Sequence, residues 1–257
     1  MPKQSEPALR RRLAAVAVLT ALLVPSLVAA QGPGFLFKRP VASLTLRAGY
    51  SVPRASSDVF DEDLRLLTLD RSDYNAFAVG GDLAIRLSDR FDAVFGLAYS
   101  RAEARSEFAD WDAVDGLPIE QETQFTRLPL TGSLKAYLLS TGRSIGRFAW
   151  VPARWSPYVG AGGGMMWYRY HQTGEYVDFG SCDDEGCDII AGTSESTGWT
   201  PTAHVMAGAD FSLSPRLALN VEGRYGWASD EMSSDFVDFD KIDLAGLQAT
   251  VGFSVRF

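Results

Sequence analysis

Histidine and cysteine are nearly absent from this sequence, at two residues each in a chain of 257. That scarcity excludes most metal and nucleophile chemistry at once. A closed zinc site takes four nitrogen or sulfur ligands, and Cys182 and Cys187 have only His171 near them in sequence. No stretch has the spacing of a calcium-binding EF-hand loop, so no cofactor or metal is expected. A catalytic nucleophile needs a base within hydrogen-bond reach, and His171 and His204 are the sole imidazoles. The chain reads as a non-enzyme. Bases are the minority charge, 24 against 32 acids, for a formal net charge of −8. This argues against nucleic acid as a partner, because phosphate binding needs clustered Lys and Arg. Beyond the first 30 residues there is no apolar run of the about 20 residues that a spanning helix requires. A membrane protein of this sequence therefore crosses with strands.

What is present is alternation. From Ala245 the apolar residues fall on every second position, Ala245, Leu247, Ala249, Val251, Phe253, Val255 and Phe257, with Gly246, Gln248, Thr250, Gly252, Ser254 and Arg256 between them. The stretch Ile242 to Phe257 is thus a strand with one oily and one small or polar face. It covers the about 9 to 11 residues that a tilted strand needs to cross a bilayer. Residues 1–30 are separate: Lys3, Arg10, Arg11 and Arg12 precede the apolar run Leu13 to Val28, and Val28-Ala29-Ala30 offers small residues for cleavage. That is the pattern of a secretory signal peptide. It implies an oxidising compartment in which Cys182 and Cys187 pair. A Gly- and Pro-containing entry segment, 31–40, follows, and 41–257 carries the alternation to the end.

Seven further strands are expected before the closing one: Val41 to Val52, Tyr74 to Leu87, Phe91 to Ala104, one ending near Leu139, one beginning at Ser156, Trp199 to Leu213 and Arg216 to Trp227. Long connections follow the first, third, fifth and seventh. They span Pro53 to Asp73, Arg105 to Glu120, His171 to Gly198 and Ala228 to Lys241, and hold 23 acids and five bases. Ser88-Asp89-Arg90 and Ser214-Pro215 are tight turns. The remaining connection, Ser140 to Trp155, contains Arg143, Arg147 and Arg154, two tryptophans, a phenylalanine and no acid. The fold class is all-β: an eight-stranded antiparallel up-and-down transmembrane β-barrel with short periplasmic turns and long outer loops.

The contents of the polar face set it inside. An eight-stranded barrel has room only for side chains, and Gly, Ser, Ala and Thr interspersed with Arg47, Asp82, Arg86, Lys135, Glu222, Arg224 and Arg256 fit such an interior. Facing lipid near the midplane, each Arg or Lys would cost about 2 to 4 kcal/mol. Tyr50, Phe77, Phe91, Tyr99, Phe211, Trp227 and Phe257 lie near strand ends on the oily face, where interfacial girdles belong. A soluble barrel would reverse the faces.

With this strand count, the Pro157-Tyr158-Val159-Gly160-Ala161-Gly162 stretch and the terminal Thr250, Gly252, Val255 and Phe257, the chain resembles the small eight-stranded outer-membrane barrels of the OmpA/OmpX/OmpW-like group. The resemblance implies a bacterial outer-membrane location with loops extracellular and both termini periplasmic. It also implies insertion by the outer-membrane assembly machinery, which would read Thr250, Gly252, Val255 and Phe257, and a plugged or very narrow interior. Lipid and lipopolysaccharide are then the surroundings, and a monomer is expected.

Several roles stay open on this reading. Arg47, Asp82, Arg86, Lys135, Glu222 and Arg224 form either a static ion-pair plug or a gate whose pairs exchange. The acidic loops are a solvated surface, or they capture cationic partners and divalent ions that bridge to lipopolysaccharide. A structural or surface-interaction role is the main expectation. A conduit for small hydrophobic molecules is the alternative, with Tyr158, Met166, Tyr168 and Met206 as apolar lumen groups. Lipid-A-modifying enzymes exist in this fold class, but His171-Gln172-Thr173 lacks the serine of a His-x-Ser pair, and His204 is expected to point inward.

Overall fold

The computed structural model describes residues 38–112, 117–146, 149–183 and 186–257. The expected leader, and all but the last residues of the entry segment, lie outside the described residues. In chain order the strands are β1 (Ala42–Pro53), β2 (Ala76–Arg86), β3 (Phe91–Asp112), β4 (Pro118–Tyr137), the short β5 (Gly142–Ile145) and β6 (Ala149–Pro152), β7 (Trp155–Asp183), β8 (Gly186–Ser212), β9 (Leu217–Trp227), the two-residue β10 (Ser229–Asp230) and β11 (Ile242–Asp243), and β12 (Gly246–Arg256). Eight of them close a ring in the order β1-β2-β3-β4-β7-β8-β9-β12. The seam joins the first strand to the last antiparallel, from Ser43↔Arg256 to Pro53↔Gly246.

Alternation decides which way each strand faces. On β12, Leu247, Val251, Phe253 and Val255 are exposed, whereas Thr250, Gly252 and Ser254 are buried in the lumen. The same holds for Leu44 and Leu46 against Thr45 and Arg47 on β1, and for Phe95 and Leu97 against Val94 and Ala98 on β3. The outcome is a continuous exposed apolar belt. Phe91, Trp155, Phe211 and Phe257 stud it near the short-turn end, and Tyr50, Phe77, Tyr99, Trp199 and Trp227 near the other. Water cannot wet such a belt without large cost, so it is a lipid-facing surface. No helix among the described residues is long and apolar enough to cross a membrane.

The structure corrects two expected loops. Arg105 to Glu120 and His171 to Gly198 are mostly strand: β3 runs for 22 residues and β7 for 29. Pairing between β2 and β3 stops at Ala78↔Ser100, and between β8 and β9 at Ala203↔Trp227. The ladders β3–β4, β4–β7 and β7–β8 continue beyond those points, to Glu107↔Glu120, Gln121↔Gly174 and Asp178↔Asp188. Four strands thus rise past the belt as a curved wall. Its outer face turns from apolar to charged, with Arg101, Glu103, Arg105 and Glu107 exposed, while Ala102, Ser106 and Phe108 stay buried on the inner face.

The first expected loop, Pro53 to Asp73, is also structured. Asp58–Leu66 forms a helix, α1, with Asp58 and Asp61 in its first turn and Arg65 in its last, as the helix dipole favours. A 3₁₀ turn, Arg71–Tyr74, follows it. A helix of nine residues is not stable alone in water. It is held by burying Val59 and Phe60 against the inner face of the wall, beside Phe236 from the last long connection. The rings of Phe60, Tyr74, Phe125, Tyr170 and Phe236 meet edge to face, with centroids 4.9 to 5.7 Å apart for the pairs Phe60–Tyr74, Phe60–Phe125, Phe60–Tyr170 and Tyr170–Phe236. The same segments cover the free edges of the wall. Thr68 N–H donates to the Glu107 carbonyl at 2.8 Å, and Glu195 N–H donates to Asp235 at 3.0 Å.

Candidate functional site

Two closures occupy the lumen, one at mid-barrel and one at the mouth. The mid-barrel closure begins with Arg47 on β1, whose Nε donates to Asp82 Oδ2 at 2.7 Å and whose Nη1 donates to Gln248 at 2.9 Å. Arg224 on β9 lies 3.7 Å from Asp82 and bonds Glu222 at 2.9 Å. Glu222 accepts from the Tyr158 hydroxyl at 2.9 Å, which in turn accepts from Asn220 at 2.9 Å. Asn220 also donates to Asp210 at 2.7 Å, and Asp210 receives Lys135 at 3.1 Å and Tyr137 at 2.9 Å. The Lys135 ammonium sits 3.5 Å from the centroid of the Tyr158 ring. The bases Arg47, Arg224 and Lys135 are therefore matched by Asp82, Glu222 and Asp210 in one connected chain. Every charge in it has a partner, the condition under which buried ions are tolerated.

Five of the six lumen charges expected from sequence join this chain. Arg86 stands apart toward the short turns, donating to Asp92 at 3.2 Å. The sequence reading missed Asp92, Asp210, Asn220, Tyr137 and Gln248 as partners. All five sit on inward-facing positions of alternating strands, which was the available signal. Tyr158, read as an apolar lumen group, instead bridges the acid–base pairs through its hydroxyl. Glycine makes the space: a methyl group at Gly96 would lie 2.4 Å from Asp82 Oδ1. The cavities left around the chain are small, about 30 Å³ below it and about 60 Å³ above it. The larger admits only a few water molecules.

His204 points inward, as expected, and there it meets a serine from another strand that its neighbours in sequence do not reveal. Ser133 Oγ is 2.8 Å from His204 Nε2. The two side chains sit on β4 and β8 with Gly162 of β7 between them in register, and only a residue without a side chain lets them meet. Nδ1 of His204 has no partner among the described residues, so no carboxylate orients the ring. His204 borders the 60 Å³ cavity, inside the barrel. His171 is on the wall, with Nδ1 at 3.4 Å from Glu195.

The second closure is built around Asp63 on α1. Its carboxylate accepts from the hydroxyls of Tyr74 and Tyr170 and, at 2.8 Å, from the Gln172 amide. Below it, Arg127 donates to Ser51 at 2.8 Å and to the Leu244 carbonyl at 3.1 Å. At the rim Asp243 binds Arg54 at 2.7 Å and Ser56 Oγ at 2.8 Å, tying the start of the first long connection to the end of the last. Burial raises the affinity of Asp243 for a proton, but Arg54, the Ala245 N–H and Ser56 more than offset it and hold the carboxyl below its usual range. Asp63 moves the other way. Burial among aromatic rings pushes its pKa up, against the lowering by Tyr170, Tyr74 and Gln172 and with a small contribution from Glu62.

A carboxyl whose folded pKa lies above its unfolded value binds more protons folded than unfolded, so its contribution to stability falls as pH rises through that interval. We expect docking of α1 to be firmest below the ordinary aspartate range near pH 3.9 and to weaken as pH rises toward the raised folded value. Amide exchange of residues 58–66, corrected for intrinsic rates, should show this slope in the wild type and lose it in Asp63→Asn. A slope retained in the variant would assign it to another group.

The assembly-signal residues divide between the faces: Thr250 and Gly252 are buried in the lumen, Val255 and Phe257 exposed on the belt. The expected pairing of Cys182 with Cys187 involves the Cys182 side chain, which lies outside the described residues. Among the described residues no cluster of three or more His, Cys, Asp or Glu could hold a metal.

Fold and site together define a membrane-spanning eight-stranded antiparallel β-barrel with a chain of buried charges at mid-lumen and an aromatic cluster at the mouth. No protein-family model matches the chain, and no curated protein matches it. Among solved structures it is similar to Neisserial surface protein A, at 12% identity over 84% of this chain and 96% of that one, with a TM-score of 0.42. It is also similar to Ail, the attachment invasion locus protein of Yersinia pestis, at 13% identity over 84% and 99%, TM-score 0.41. A third is the outer membrane protein OprG of Pseudomonas aeruginosa, at 15% identity over 85% and 97%, TM-score 0.41. The barrel is assigned on this chain's own closed strand ladder, not on these scores.

Proposed function

We propose that the protein is an outer-membrane barrel with the wall and plug outside the cell and both termini periplasmic, and that it works through its outer surface rather than by passing solutes. The observation that carries this reading is the double closure. A conduit needs a continuous path, and here the charged chain from Arg47 to Lys135 fills mid-lumen while α1 and Phe236 fill the mouth. What the molecule offers instead is the wall. On its outer face, beyond the ion pairs Arg101–Glu103 and Arg105–Glu122, Glu107 and Glu120 stand directly opposite each other, and two like charges so placed favour a cationic partner.

The test is single-channel recording of the refolded protein in a planar bilayer beside Lys135→Ala, which removes the cation held by Asp210. A silent wild type, folded by its heat-shifted gel mobility, is the expected result. Stepwise openings in the wild type would sink the proposal and restore the gate. One feature favours the conduit alternative. Where β8 loses β9 as a partner, an open groove of about 910 Å³ lined by Pro201, Trp227, Ala228, Arg54 and Asp243 lies at the upper girdle. On that reading small hydrophobic molecules would leave sideways there, and a Trp227→Ala variant would change their uptake.

A further inference from the structure

We infer that the β5–β6 hairpin and the turns beside it form a seat for the anionic headgroups of phospholipids in the leaflet that meets the short-turn end. The charge of the barrel is divided along its axis. The wall and plug are rich in acid, whereas the short-turn end exposes Lys38, Arg90, Arg143 and Arg154. The one exposed acid there among the described residues is Asp89, and Arg39 pairs with it.

The hairpin has two unlike faces. Its register pairs Arg143 with Val151, Ser144 with Trp150 and Ile145 with Ala149. Period two therefore puts Trp150 and Ser144 on one face and Arg143, Val151 and Ile145 on the other. Trp150 is only 4% exposed, sits against Gly142 and lies 6.0 Å from the Arg256 guanidinium at the barrel end. The inner face is thereby fixed to the barrel, and a backbone bond from Ala153 to Thr141 at 2.9 Å closes the hairpin base. The outer face is left presenting a guanidinium between two apolar side chains, with Ile145 54% and Val151 39% exposed. Leu138, Leu139 and Trp155, all exposed, continue that surface into the belt.

This mixture fits one environment. Water alone gives no reason to expose Ile145 and Val151, and hydrocarbon alone would not accept Arg143. At the boundary between them the apolar side chains meet acyl chains and the guanidinium meets phosphate, to which its planar donors are matched. Bases beside an anionic surface each strengthen association by about fivefold at moderate salt.

The test is quenching of tryptophan fluorescence in the full-length refolded protein by brominated phosphatidylglycerol and, separately, brominated phosphatidylcholine. The signal of Trp155 is isolated as the difference from Trp155→Phe. The expected result is a preference for the anionic lipid at Trp155 that falls by about fivefold or more in Arg143→Gln/Arg154→Gln and disappears at high salt. Heat-shifted mobility reports that the variants are folded. If the double variant does not fold, the salt dependence of the wild type and the single Arg143→Gln variant decide the matter. Equal quenching by the two lipids, or a preference that survives both salt and substitution, overturns the inference. So does binding to purified peptidoglycan through the same arginines without any lipid preference, which would make the seat a cell-wall contact.

Discussion

Asp82→Ala is expected to destabilise the barrel by about 3 to 5 kcal/mol, the cost of stranding a buried charge. The variant leaves Arg47, whose side chain is 1% exposed, with only Gln248, and takes from Arg224 one of its two carboxylates. Water compensates only in part, because the adjoining cavities hold only a few molecules. The check is the urea midpoint of the refolded protein, read from its heat-shifted mobility. A shape-conserving Arg47→Leu/Asp82→Leu pair should recover much of the loss, since a buried pair replaced as a unit is often neutral. If the single variant instead unfolds at the wild-type midpoint, the chain of charges is not a closed network. The exposed pair Arg101–Glu103 is the control, worth at most about 1 kcal/mol.

Phe60→Ala is the second large effect and separates the two closures. Phe60 is fully buried, touching Tyr74, Phe125 and Tyr170 edge to face. Its removal costs about 3 to 5 kcal/mol of plug docking. Because α1 has nine residues and is not stable undocked, the expected outcome is loss of amide protection across 58–74. Rapid trypsin cleavage at the exposed Arg65 and Arg71 should accompany it, with the ring of eight strands still resistant to detergent. A variant whose ring and plug melt together would show that the mouth is part of the barrel's cooperative unit. An undocked plug alone should not make the barrel conduct, since mid-lumen stays filled by Arg47, Asp82 and Arg224.

How much of this was legible followed from what each residue faces. Within the bilayer the two sides of a strand meet oil and a polar lumen, so Leu44 against Arg47, or Phe253 against Thr250, can be read directly. Above the bilayer the outer side meets water. The alternation persists, Arg101-Ala102-Glu103-Ala104-Arg105-Ser106-Glu107-Phe108, but its oily half is gone, and a charged strand reads like a charged loop. The same change hid residues 171–198. Plug residues were illegible for another reason. Phe60 lies in a short polar segment with no period of its own, Tyr74 reads as the start of the second strand rather than the end of a 3₁₀ turn, and the burial of both depends on residues far away in sequence. The lumen charges were found because a base cannot face lipid; their pairing was not, because it depends on register across strands.

The seam between β1 and β12 fixes the order of events in the protein's birth. Ala42 exchanges backbone bonds with Phe257, the last residue of this sequence, so the earliest strand waits for the latest before either loses its free edge. Contacts so distant along the chain form slowly. Until the seam closes, β1 presents unpaired amide and carbonyl groups to any neighbouring strand. α1, though made early, has no aromatic cradle before Phe125, Tyr170 and Phe236 are in place. Until that last contact forms, the assembling sheet is thus an open ribbon with two edges to be kept from other strands.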